Sequence, residues 1–184
     1  MDYDKYDPKD YWEVRGNAYK GVEHWDEMVV LRSLVHRYCK MPSKILEVGS
    51  GYGRICELLK HESIEFHACD IADSMRYIHC ERTALLPDKW DGVTLPYKDD
   101  DFKLVIAYDL LLHVPTDSIR RMLSEVHRVS SRLVCIASWV IPEGCPRAHH
   151  VFAHDYARLF VDEGFIVKDE AEFGERNIWM LQKR

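Results

Sequence analysis

A chain of 184 residues with 47% hydrophobic and 30% charged residues can bury a substantial core and has a globular balance. Its net charge of −6, with no dense Lys/Arg stretch, argues against nucleic acid as substrate, because phosphates need clustered cations. The apolar runs are far shorter than a membrane span, and the start Met1-Asp2-Tyr3-Asp4-Lys5 is too polar for a signal peptide, so a cytoplasmic chain acting on a small molecule is expected.

Residues 1–20 are polar and aromatic (Tyr3, Tyr6, Tyr11, Trp12, Tyr19) with weak periodicity. From 22 to 40, Val22, Trp25, Met28, Leu31, Val35 and Tyr38 recur at helical spacing and predict an amphipathic helix ending before Pro42. Residues 44–48 form an apolar strand that breaks into Gly49, Gly51 and Gly53, and a helical pattern resumes at Arg54. Phe66–Ile71 reads as a strand, Ser74–Arg82 as a helix, and Asp88–Val93 as a weak strand. Phe102–Tyr108 carries a continuous apolar run, as expected of a strand covered on both faces. A helix over Asp117–Val129 precedes a strand over Leu133–Val140, and Pro142–His154 is irregular. Asp155–Glu163 reads as a helix with Asp155 at its N-cap and Gly164 past its end. Phe165–Phe173 and Asn177–Gln182 are strands joined by a turn at Gly174-Glu175-Arg176.

Alternating βα units closed by a hairpin predict a doubly wound, Rossmann-like α/β fold. Its seven-stranded sheet is mostly parallel with one antiparallel strand, and helices cover both faces. A single domain over 1–184 is expected, with an N-terminal segment to residue 40 and the core over 41–184. The six cysteines (39, 56, 69, 80, 135, 145) form no Cys-x-x-Cys pair and read as reduced, buried hydrophobes.

The glycine turn carries the chemistry, since only glycines let a backbone turn so tightly and approach a ligand. A dinucleotide fingerprint would place its third glycine at 54, where this chain has Arg54. The spacing Glu47-x-Gly49-x-Gly51-x-Gly53 resembles motif I of the class I S-adenosylmethionine-dependent methyltransferases, and the order of elements from about residue 40 onward is similar to that family's core. Ala68–Met75 resembles the second motif, Trp90-Asp91-Gly92 with Leu95-Pro96-Tyr97 the third, and Phe102–Val114 the fourth.

The resemblance implies S-adenosylmethionine as cofactor. It implies that Glu47, Gly49, Ser50 and Gly51 hold the amino-acid part, and Asp70, with Ile71 and Met75 behind it, the ribose. Asp91 and Gly92 would meet the adenine, and Asp109 and Leu110 would face the methyl. Tyr11-Trp12-Glu13-Val14-Arg15-Gly16 is similar to a lid in which an aromatic and an Arg (Tyr11, Arg15) cover the cofactor carboxylate. Read without the family, the glycines could be a plain tight turn, Asp70 a helix cap, Asp91 a turn residue and Arg15 a surface cation.

The implied activity is methyl transfer to O or N of a small-molecule acceptor by in-line displacement. Asp109-Leu110-Leu111-Leu112 lacks the Asn/Asp-Pro-Pro-aromatic box of many amide and exocyclic N-methylating relatives. No ligand set requires a metal. Candidate bases lie near the fourth and fifth strand ends: His113, and His149, His150 or His154 in the stretch after strand five. Against these stand a packed His113 and a mere polar connector at 148–155. Two other readings remain: a nicotinamide oxidoreductase, disfavoured by Arg54, and a non-catalytic cofactor-binding module or regulatory subunit. Expected partners are a small-molecule acceptor, with no nucleic acid or membrane, in a monomer or homodimer.

Overall fold

The computed structural model describes residues 6–19, 26–60, 62–141 and 148–184. Its strands are β1 (Ser43–Val48), β2 (Ile64–Asp70), β3 (Asp88–Lys89), β4 (Phe102–Tyr108), β5 (Ser130–Trp139), β6 (Phe165–Phe173) and β7 (Arg176–Lys183). Its helices are α1 (Pro8–Arg15), α2 (Asp26–Tyr38), α3 (Arg54–Leu59), α4 (Asp73–Thr83), α5 (Ile119–Val129) and α6 (Tyr156–Asp162). The sheet order is β3-β2-β1-β4-β5-β7-β6, and only β7 runs antiparallel to its neighbours.

The unbroken apolar run of β4 follows from the period-2 alternation of a strand covered on both faces. Val105 and Ala107 enter one apolar cluster and Leu104, Ile106 and Tyr108 the other, while Phe102 joins the first because the register shifts between residues 102 and 104. Helix α5 supplies Ile119, Met122, Leu123, Val126 and Val129 to the first cluster, at a spacing that puts all five on one helix face. Helix α2 supplies Met28, Leu31, Leu34 and Val35 to the second. The proposed N-terminal residues of that helix, Val22 and Trp25, lie outside the described residues.

Strands β2 and β5 begin at Ile64 and Ser130, ahead of the expected Phe66 and Leu133, and three further differences have a local cause. The third strand pairs only at Asp88 and Lys89, because the Asp91 carboxylate accepts from the Val93 and Thr94 amides, both at 2.8 Å, and turns the chain off the sheet edge. Helix α5 starts at Ile119 rather than Asp117, after a turn in which the Pro115 carbonyl accepts from Ser118 and Ile119. The aperiodic N-terminal stretch contains a helix, α1, with Pro8 in its first turn and the Asp7 carboxylate capping the Asp10 amide at 3.1 Å. At the other end, Gly174 (φ +60°) occupies the first central position of the β6–β7 hairpin, as a type II′ turn requires.

Leu123 is fully buried between α5 and the sheet. Leu123→Ala should cost about 2–5 kcal/mol of unfolding free energy by lost transfer and residual cavity. Chemical denaturation measures it, and a loss below about 1 kcal/mol would mean the site collapses around the smaller side chain.

Candidate functional site

Strand β1 pairs with β2 on one side and β4 on the other, so successive crossovers leave it in opposite directions. Such a switch point opens a crevice at the strands' C-terminal ends. A cavity of about 430 Å³ lies there, within the ordinary range for small-ligand sites.

Its floor is the turn after β1. Gly49 (φ +67°) and Gly51 (φ +51°) are both left-handed, a region that disfavours a Cβ. At Gly49 a Cβ would fall 2.7 Å from Cδ1 of Leu110, so the β4 end packs directly on this backbone. At Gly51 a Cβ would meet no protein atom within 4 Å, although the residue lines the cavity. The turn is tied to β2: Asp70 accepts from the Gly51 amide at 2.7 Å through Oδ2 and from the Ala72 amide at 2.9 Å through Oδ1. Burial raises the Asp70 pKa above its usual value against the pull of these two bonds.

The wall holds unsatisfied polar atoms. Glu47 Oε2, Ser50 Oγ and Trp90 Nε1 are buried with no hydrogen-bond partner among the described residues. Burial pushes the Glu47 carboxyl well above its usual range, with Arg54 opposing. Orphaned buried groups are costly, and three around one cavity fit a polar ligand carrying a cation and acceptors. Beyond β4, Asp109 (φ +52°) accepts from Arg54 Nη2 at 3.0 Å and from Arg176 Nε at 3.1 Å. The two guanidiniums lie over the Tyr108 and Trp139 rings, at 4.4 and 5.1 Å from the centroids.

Helix α1 forms the roof. It docks on α4, where the Glu13 carboxylate accepts from the Ser74 amide at 3.1 Å, and Tyr19 stacks on Tyr52 with centroids 5.2 Å apart. On the opposite side the Tyr11 hydroxyl shares a 3.0 Å hydrogen bond with His150 Nε2, and the two rings stack at 4.3 Å. Arg15 lies over the outer part of this contact, 4.3 Å from the Tyr11 centroid.

All the residues expected to hold a cofactor lie on the cavity wall except Asp91 and Gly92. The Asp91 carboxylate is occupied by its own turn, and Trp90 borders the cavity instead. The four candidate histidines separate. His113 and His150 line the cavity, whereas His149 and His154 do not. His154 donates through Nε2 to the Leu111 and Val114 carbonyls, both at 3.0 Å, and so ties the segment before α6 to the turn after β4. His113 Nδ1 donates to the His150 carbonyl at 2.8 Å. Part of the expected acceptor wall, residues 142–147, lies outside the described residues. Trp12, inside the expected lid stretch, also lines the cavity, as do Tyr108, Trp139 and Arg176, which no sequence motif marks; Arg176 enters from a hairpin far along the chain, and nothing local signals it.

A methyltransferase-domain family model matches residues 45–132, from β1 to the start of β5. No curated protein sequence matches the chain. Among solved structures it is similar to magnesium protoporphyrin IX methyltransferase from Synechocystis PCC 6803 with bound SAH, at TM-score 0.76 and 16% identity over 96% of this chain and 98% of that one. It is similar to a SAM-dependent methyltransferase from Aquifex aeolicus, at TM-score 0.70 and 19% identity over 97% and 98% of the two chains. It also resembles the [4+2]-cyclase SpnF, at TM-score 0.73 and 15% identity over 89% and 83%. Likeness at these identities establishes the fold.

Burial, with His113, His149 and Arg15 nearby, lowers the His150 pKa to about 4. The unfolded chain binds a proton on this ring below about pH 6.5 and the native state does not, so acidification from 6.5 toward 4 removes stability. Calorimetric melting at pH 7 and 4.5 should therefore give a steeper loss of Tm for wild type than for His150→Phe. Parallel losses would mean that the native ring protonates as freely as an exposed one.

Proposed function

We propose that the chain is a class I S-adenosylmethionine-dependent methyltransferase taking S-adenosylmethionine as its cofactor, a reading supported by the methyltransferase-domain model over residues 45–132 and by the shared fold. The methyl acceptor is an oxygen or nitrogen of a small molecule seated between the β4 end and residues 148–154. Bound in the crevice, the cofactor supplies a methyl group activated by a sulfonium. The protein's share of the work is alignment, exclusion of water and removal of a proton from the acceptor.

In this reading the buried carboxyl of Glu47 takes the cofactor ammonium, which supplies the partner Oε2 lacks. Asp70 keeps lone pairs beyond the Gly51 and Ala72 amides and takes the ribose hydroxyls. Tyr11, Trp12 and Arg15 cover the amino-acid end and keep water out. Leu112, Ile141 and Val151 form an apolar cluster with Trp139 packed against it, a wall suited to an acceptor with an apolar body.

One contact carries the catalytic assignment. The Nδ1–H of His113 is committed to the His150 carbonyl at 2.8 Å, which leaves Nε2 as the basic nitrogen of a ring on the cavity wall. Burial lowers its pKa, so the ring is neutral at pH 7 and able to accept a proton. His150 bonds the lid through its Nε2 and serves orientation instead.

Gly51→Val places a side chain in the open space above the turn and should abolish cofactor binding by calorimetry while the far-ultraviolet circular dichroism stays largely unchanged. Wild-type affinity in that variant would overturn the placement of the cofactor. Once an acceptor is in hand, His113→Gln should lower turnover about a hundredfold or more and leave cofactor affinity intact. The wild-type rate should fall as pH drops through the depressed His113 pKa, giving an acidic limb below about 6.5 that the variant lacks. Unchanged turnover would remove His113 from the reaction.

A further inference from the structure

At the β4 and β5 end, the cavity is walled by rings. Trp12 from the roof, Trp139 from the end of β5, and the imidazoles of His113 and His150 all border it, beside the aliphatic Leu112 and Val151. Trp12 meets His113 edge-on with centroids 4.9 Å apart, and His113 and His150 stack at 5.3 Å. Trp139 packs against the apolar cluster that holds Leu112 and Val151. Such a seat favours a flat apolar body, because a ring gains from offset or edge contact with other rings beyond the area it buries.

The charges on the same wall narrow the class. Three arginines line the cavity, and each lies over one of its rings. Arg15 is 4.3 Å from the Tyr11 centroid, Arg54 is 4.4 Å from Tyr108, and Arg176 is 5.1 Å from Trp139. A ring that already serves one guanidinium attracts a second cation less, and the guanidinium itself repels it. Asp109 accepts from Arg54 and Arg176, so its carboxylate is not offered to an ammonium. These cations disfavour a protonated amine and favour an oxygen that sheds its proton.

We propose that the methyl acceptor is a hydroxyaromatic compound whose flat body sits against Trp12 and Trp139 with its hydroxyl at His113, an inference that rests on the methyl-transfer reading above. The hydroxyl proton passes to His113 Nε2, the oxygen pair forms the new O–CH3 bond, and the pair of the broken S–CH3 bond stays on sulfur. A saturated alcohol lacks the flat face and holds its proton more tightly. An ammonium brings charge of the wrong sign.

Naphthol, decahydronaphthol and naphthylmethylamine are probes of matched size. Calorimetry measures the binding of each to protein loaded with the demethylated cofactor product, and labelled methyl from S-adenosylmethionine measures turnover. Naphthol should bind about tenfold more tightly than the other two, and it alone should be methylated. Trp139→Leu keeps an apolar side chain but loses the ring. It should weaken naphthol about three- to tenfold, with little change for decahydronaphthol or for the cofactor product. Equal binding of naphthol and decahydronaphthol, methylation of the amine at the rate of the phenol, or equal losses for every ligand in Trp139→Leu would each overturn the assignment. The wild-type comparison stands even if that variant fails to fold. If the cofactor product binds but naphthol neither binds nor is methylated, this inference fails alone. If the cofactor product itself does not bind, the methyl-transfer reading fails and takes this one with it.

Discussion

The pairing of β1 with β2 on one side and β4 on the other is the constraint from which the rest follows. Once the chain crosses over in opposite directions from a central strand, the connections at its C-terminal end must part, and nothing in the sheet can fill the gap. The glycines sit where that gap begins because the backbone has to turn sharply without a side chain in the opening. Leu110 from the β4 end packs onto Gly49 at a distance that leaves no room for a methyl group, so the floor of the crevice is backbone against side chain. The sheet's two-sided core makes this floor rigid: β1 and β4 contribute buried residues to both apolar clusters.

Rigid apolar layers explain why the polar exceptions gather where they do. Most buried side chains here are hydrocarbon, and the few buried polar or charged ones include Glu47, Ser50, Asp70 and His79. All four belong to the glycine turn or to residues that contact it. A core under selection only for stability would replace unsatisfied polar atoms with methyl and phenyl groups. Their concentration at one turn, rather than through the core, supports the reading of that turn as a ligand cradle. Asp70 shows the double use most clearly, since the carboxylate that faces the cavity also fixes the turn through two backbone amides.

The parts of this arrangement that depend on neighbours in sequence were legible in it. The left-handed positions announced themselves as alternate glycines, the two-faced strand as the run Leu104 to Ala107, the α5 face as its helical spacing, and the hairpin as Gly174. What could not be read depended on contacts between distant segments. Asp109 meets Arg54 and Arg176, one on α3 and the other at the start of β7, and no local pattern links the three. Asp91 sits in a motif that suggested a ligand contact, yet two amides two and three residues on claim its carboxylate. The histidines after β5 were equivalent as letters. Only the path of the chain decides that His150 turns toward the cavity while His154 turns toward two carbonyls beside it.

Residue 150 joins two features that the sequence treated as separate. Its side chain bonds Tyr11 of the roof, and its carbonyl takes the His113 Nδ1–H. The three rings form a continuous stack, with His150 at 4.3 Å from Tyr11 and 5.3 Å from His113. The main-chain half of this link survives any side-chain substitution at 150, whereas the Tyr11 half does not. The position of the roof and the tautomer of the proposed base are therefore coupled through one residue but not by one bond. A change in the side chain removes the Tyr11 contact while His113 keeps its orientation, and only a shift of the backbone between β5 and α6 disturbs both at once. The His154 bonds to the Leu111 and Val114 carbonyls oppose such a shift, which gives a histidine off the cavity wall its place in the site.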